Sequence, residues 1–160
     1  MTTIAFKDGI MAADSRCTDE CGSFFTKTRK IDRLASGALL GKAGDTDARE
    51  VVALLSRATY RKLPSRRELA ETRTEFNGIL AFPNGRVFYV GIEKAGDGDA
   101  SWTGEVIEVE ERMCAVGSGY QFALGAMAGG KTAKQAVEIA CRYDSYSQAP
   151  VRIVPLKPNP

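Results

Sequence analysis

The sequence predicts an α+β domain of four layers, a sandwich of two antiparallel sheets held between helical layers. Strand-like stretches come in hairpin pairs, apolar residues at helical spacing follow each group of strands, and Gly, Pro or Asn marks the turns. At 160 residues the chain is expected to form a single domain over 1–160, since domains cluster near ~100–150 residues and a second core would lack material.

Thr2 to Phe6 and Ile10 to Asp14 read as strands joined by the turn Lys7-Asp8-Gly9. Phe24 to Leu34 and Ala38 to Gly44 read as two more, split by Ser36-Gly37, so the first 44 residues are expected to nearly complete one sheet. Asp45-Thr46-Asp47 offers capping side chains to a helix bearing Val51, Leu54, Leu55 and Ala58 on one face and ending before Pro64. Ser65 to Glu75 is charged and receives no assignment. Phe76 to Phe82 and Arg86 to Glu93 flank Pro83-Asn84-Gly85, a hairpin read as the start of a second sheet. Trp102 to Glu110 and Met113 to Val116 add strands. Tyr120 to Ala128 and Ala133 to Tyr143 read as helices, the second opened by the capping box Thr132-x-x-Gln135, and Val151 to Leu156 is the last strand.

Composition narrows the function classes. Hydrophobic residues make up 44% and charged residues 26%, ordinary values for a folded domain. A net charge of +2 with acids and bases interleaved gives no basic stripe for nucleic acid. No run approaches the ~18 apolar residues of a membrane span, and nothing resembles a signal segment, so a cytoplasmic protein with no membrane partner is expected. Cys17, Cys21, Cys114 and Cys141 are read as free thiols. With no histidine and no second close cysteine pair, no metal and no cofactor are expected. The missing histidine also excludes Ser-His-Asp and Cys-His chemistry. A hydrolase here must take its base from elsewhere.

Candidate residues converge near the start of the chain. If Phe6 and Ile10 flank the first turn as partners, Thr2 lies opposite Asp14 on one face of the sheet. Lys30 is then within lateral reach of Asp14, provided the next strand folds back through Cys17 to Gly22. Removal of Met1 leaves Thr2 an α-amine with a pKa of roughly 7.7–8.0. That amine, or a lysine of lowered pKa, can serve as base toward Thr2 Oγ. Gly44, before a helix N-terminus, is a candidate oxyanion donor. Asp144 falls on the apolar stripe of its helix with Val137, Ala140 and Cys141, and needs partners, for which Ser118 and Ser147 are candidates.

The opening Thr2-Thr3-Ile4, Ala13-Asp14, Lys30-Ile31, Gly44, Gly117-Ser118-Gly119 and Asp144-x-x-Ser147 together resemble, in order, the proteasome β-subunit and bacterial HslV peptidase family. The resemblance implies the N-terminal nucleophile hydrolase fold and a threonine-type peptidase acting on unfolded polypeptides. It assigns Thr2 as nucleophile, Asp14 and Lys30 as its tuning pair, and Gly44 as oxyanion donor. Ser118, Asp144 and Ser147 support the amine. It further implies stacked homo-oligomeric rings around a chamber, an ATP-driven unfoldase partner, and a substrate pocket that includes Lys42 and Thr28. A cation at position 42 predicts cleavage after acidic residues. With Met1 retained the amine would be an amide, and a ring-forming homologue without catalysis is the alternative.

One rival motif competes. Gly125-Ala126-Met127-Ala128-Gly129-Gly130-Lys131-Thr132 fits the phosphate-binding G-x-x-x-x-G-K-[ST] pattern. That mechanism needs a strand entering the loop and a later strand ending in Asp for magnesium, and neither is legible. The segment reads as a junction between two helices.

Overall fold

The computed structural model describes residues 2–18, 25–45, 47–96 and 101–157. Its elements begin with the strands β1 (Thr3–Lys7), β2 (Ile10–Ala13), β3 (Arg16–Thr18), β4 (Phe25–Lys27), β5 (Ile31–Arg33) and β6 (Leu39–Gly44). Helices α1 (Arg49–Ser56) and α2 (Arg66–Glu71) follow, then β7 (Phe76–Ala81), β8 (Val87–Lys94), β9 (Trp102–Glu108) and β10 (Met113–Gly117). Helices α3 (Tyr120–Ala128) and α4 (Ala133–Tyr143) precede the last strand, β11 (Arg152–Pro155). A four-stranded sheet has the order β10-β1-β2-β11, a five-stranded sheet β5-β6-β7-β8-β9, and β3-β4 form a separate ribbon.

Alternation along the strands sorts the side chains into three apolar layers. Ile4, Phe6, Met11, Leu39, Ile79 and Val87 meet between the two sheets. Ala5 and Ala12, one residue out of phase with Ile4 and Met11, face Ala123, Met127, Ala136 and Val137 of the α3–α4 pair. Leu40, Phe76, Leu80 and Val90 face Val51 and Leu55 of α1 and Leu69 of α2 on the far side. The result is the four-layer sandwich of the sequence reading.

The first hairpin is tighter than expected. Asp8 and Gly9 have φ of 50° and 76°, the two positive values of a two-residue type I′ turn, so Lys7 pairs with Ile10 instead of sitting in the turn. The register moves by one residue. Continuing the ladder puts Thr3, not Thr2, opposite Asp14, and Asp14 N donates to Thr3 O at 3.1 Å.

Two expectations about sheet membership are corrected. The first 44 residues do not build one sheet, because β1 and β2 belong to the four-stranded sheet and β5 and β6 to the five-stranded one. The expected strand from Phe24, which lies outside the described residues, to Leu34 is interrupted at Thr28 to Lys30. There Thr28 N donates to Ser15 O at 3.0 Å and Lys30 O accepts from Lys42 N at 2.8 Å, so the chain passes from the β3–β4 ribbon into the five-stranded sheet. The hairpin at Pro83-Asn84-Gly85 accordingly starts no second sheet, since β7 pairs with β6.

Helix α1 is not capped as expected. Its N-cap is Ala48 with no side-chain bond, and Asp45 Oδ1 instead accepts from Asp47 N at 3.0 Å; Thr46 lies outside the described residues. The unassigned segment contains α2, whose capping box joins Ser65 and Glu68.

The α3–α4 junction carries the phosphate-loop pattern on a helix end. Gly125 to Ala128 are helical, Gly130 turns with φ of 90°, and Thr132 caps α4. The junction is tied to β1, because Lys7 Nζ donates to Met127 O at 2.9 Å and to Lys131 O at 3.0 Å. Lys131→Ala is therefore expected to leave ATP binding at the background of the parent chain. Calorimetry showing ATP affinity that disappears in the variant would reinstate a phosphate loop.

Cys17, Cys114 and Cys141 are free, and Cys21 lies outside the described residues. Burial pushes the Cys114 thiol up to about 12.

Candidate active site

Asp14 follows β2 with its carboxylate fully enclosed. Oδ1 accepts from Thr3 N at 2.9 Å and from Lys30 Nζ at 2.7 Å. Oδ2 accepts from Arg16 N at 3.0 Å and Gln148 N at 3.2 Å. Backbone amides from three segments thus hold a charge that burial would otherwise disfavour. Side-chain exposure is 4% for Lys30 and 0% for Asp14, so the pair is desolvated. Burial pushes the Lys30 ammonium below its ordinary range, and the charge and hydrogen bond of Asp14 oppose that shift. Lys30 arrives by a route the sequence reading did not foresee. The neighbours of β2 are β1 and β11, and Lys30 reaches across from the segment entering the opposite sheet.

A second network closes the other side of Thr2. Asp144 is the residue that ends α4, with extended backbone, and so lies off the helical stripe expected for it. Its Oδ2 accepts from Ser118 Oγ at 2.7 Å and from Ser147 Oγ at 2.6 Å. Ser118 Oγ also lies 3.3 Å from Thr2 O. Gly117 and Gly119, on either side, are required by space. Gly117 has φ of 91° and a Cβ there would run into Thr2 O, while a Cβ on Gly119 would strike Thr3 Oγ1.

On the Lys30 side of Thr2 lies a cavity of about 400 Å³ lined by Thr2, Lys30, Thr28, Lys42 and Gly44, together with Val52 and Ala53 of α1. Gly44 has φ of 111°, and any side chain there would collide with Glu75 O. Lys42 lines the same space with its ammonium 2.6 Å from Asp32 Oδ2. The structure therefore brings all nine sequence-nominated residues to one place. Given no role by the sequence were Thr3, although it lies within Thr2-Thr3-Ile4, and Asp32 and the backbone amides of Arg16 and Gln148.

No family model matches the chain, and no curated protein does. Solved structures do. Thiobacillus denitrificans BPH in complex with epoxomicin is 21% identical over 98% of this chain and 99% of that chain, with a TM-score of 0.63. Eukaryotic HslV from Trypanosoma brucei is 20% identical over 96% of this chain and 99% of that chain, also at 0.63. The chain has the HslV fold. A second structure of T. denitrificans BPH agrees, with 20% identity, 99% of each chain covered and a TM-score of 0.59. In this HslV-type sandwich the N-terminal strand β1 is interior, between β10 and β2, which sets Thr2 at the end of a buried strand with 6% of its surface exposed.

Proposed function

We propose that the chain is a threonine-type peptidase whose nucleophile is Thr2, exposed as the N-terminus by removal of Met1. One observation carries the reading: Thr2 shares a cavity with Lys30, whose desolvated partner is Asp14, while Ser118 joins the Thr2 carbonyl to the Asp144–Ser147 network. In the reaction the α-amine takes the Thr2 Oγ proton as Oγ bonds to the peptide carbonyl carbon. The Gly44 N–H stabilises the oxyanion, and Lys30 adds positive charge beside the nucleophile. The C–N bond then breaks, the leaving amine takes the proton, and water hydrolyses the acyl ester to free Thr2. No cofactor enters this scheme.

The same reading places the active chain in stacked homo-oligomeric rings in the cytoplasm, fed with unfolded polypeptide by an ATP-driven partner. Its support is the fold likeness to HslV together with the ordered motifs from Thr2 to Ser147. The test pairs intact mass with peptide hydrolysis. A chain lacking Met1 is expected to cleave unfolded polypeptide and to be inhibited by epoxomicin, the molecule bound to T. denitrificans BPH. A Met1-free chain that assembles yet hydrolyses nothing would favour the non-catalytic ring protein.

Specificity needs revision from the sequence reading. Asp32 lies opposite Leu40, hence diagonal to Lys42, and neutralises it at the cavity wall. The preference for Asp or Glu over Leu before the cut is therefore expected to be modest, below about tenfold, because the ammonium is already partnered. Asp32→Asn is expected to raise that preference about tenfold, and Lys42→Met to reverse it. A kcat/KM series in which Asp32→Asn leaves the ratio unchanged removes Lys42 from the pocket.

A further inference from the structure

Thr3 is fully buried on β1, opposite Gly117, and touches both networks of the site. Its N–H donates to the same Asp14 oxygen that receives Lys30 Nζ. Its hydroxyl lies 2.6 Å from Ser147 Oγ. The proton direction in that contact follows from the acceptor at the end of the chain. A carboxylate can only accept, so Ser147 spends its single hydroxyl proton on Asp144 Oδ2. Ser147 has no second proton, and Thr3 must be the donor to it. The space for that hydroxyl is reserved by Gly119, where a Cβ would meet Thr3 Oγ1 before any other atom.

We propose that Thr3 is a positioning residue, whose hydroxyl donates to Ser147 to fix the Ser147–Asp144 network near Thr2 while its N–H holds the Asp14–Lys30 pair on the other side. The proposal rests on Thr2 as nucleophile and adds the element that keeps its two supporting networks in mutual register. The hydroxyl dipole turns its positive end toward Ser147 and so offsets part of the Asp144 charge. The titratable and charged groups around this end of β1 are Asp14 after β2, Arg16 and Cys17 of β3, Lys30 before β5, and Cys141 and Asp144 of α4 and its end. A change confined to the Thr3 side chain acts on Asp144 through Ser147 and leaves the backbone bond to Asp14 in place.

Thr3→Val keeps the shape and removes the donor. The network becomes more negative, so the α-amine of Thr2 holds its proton to higher pH. The acidic limb of kcat/KM is expected to move up by roughly half a pH unit. A fall in kcat of roughly tenfold is expected, with KM changed by less than about threefold. Thr3→Ser restores the hydroxyl and is expected to return both quantities to wild type. In a cycle with Ser147→Ala, the Thr3→Val change adds little once Ser147 is gone, because one acts through the other. If the valine chain does not fold, Thr3→Ala against Thr3→Ser supplies the same comparison. Thr2-dependent hydrolysis with an unmoved limb, or additive effects in the cycle, overturns the role of Thr3 and leaves the nucleophile standing. Hydrolysis that survives Thr2→Ala overturns both.

Discussion

Replacing Thr2 with Ala is expected to lower peptide turnover by at least about 10⁴-fold, the scale seen when a nucleophile is deleted from a triad that works as a unit. The fold is expected to survive. The contact that ties residue 2 to the rest of the site runs through its backbone carbonyl, near Ser118 Oγ, which alanine retains. The lost atoms are a hydroxyl and a methyl just before a strand whose residues, Thr3 to Lys7, hold the sheet position. Circular dichroism, urea unfolding and turnover on an unfolded substrate, measured on one preparation, separate these effects. Turnover within tenfold of the parent in a folded Thr2→Ala chain would end the threonine reading.

Lys30→Ala is expected to damage both stability and rate. Removing one partner of a buried ion pair leaves the other uncompensated, at a cost of about 3–5 kcal/mol. In this case three backbone amides still hold Asp14, so the loss belongs at the lower end of that range. Turnover is expected to fall by about 10²-fold or more, because the positive charge beside the nucleophile goes with the side chain. Asp14→Asn tests the same pair from its other end. An amide NH₂ at position 14 faces donors whichever way it turns, either Thr3 N and Lys30 Nζ or Arg16 N and Gln148 N. That variant is expected to lose stability as well as rate. Parental stability and turnover in both variants would show that the pair plays no part in either.

What the sequence disclosed and what it hid divide along the range of the interactions. The hairpin at Pro83-Asn84-Gly85 and the Thr132–Gln135 capping box are local, and β7, β8, α3 and α4 stand within a residue or two of their expected bounds. Some local signals are ambiguous. Asp8-Gly9 is a complete two-residue turn, and counting Lys7 into it shifted the register. Ser65-x-x-Glu68 announces α2, but the surrounding charges obscured it. Strand partnership was not legible, since nothing near Thr28 to Lys30 says that the chain changes sheets there. For the same reason Lys30, in a row with Arg29 and Arg33, is tied to Asp14 in the sequence only through a supposed neighbouring strand, whereas it reaches Asp14 from the segment entering the opposite sheet. Thr3 hides for another reason: a buried threonine in a strand is ordinary β-forming sequence until its hydroxyl is seen to face Ser147.

The bond between Thr3 and Ser147 spans 144 positions of chain, and the one from Gln148 to Asp14 spans 134. Such closures come late in folding, since their loop entropy must be met before they give anything back. A chain emerging from the ribosome therefore carries Thr2 for almost the whole of translation without the Asp144–Ser147 arm that completes its surroundings. Competence arrives with the final strand and not before, so an unfinished chain is expected to be harmless to its neighbours. Hydrolysis by chains stalled during cell-free synthesis, before and after the final strand Arg152–Pro155 has left the ribosome, is expected only in the longer chains.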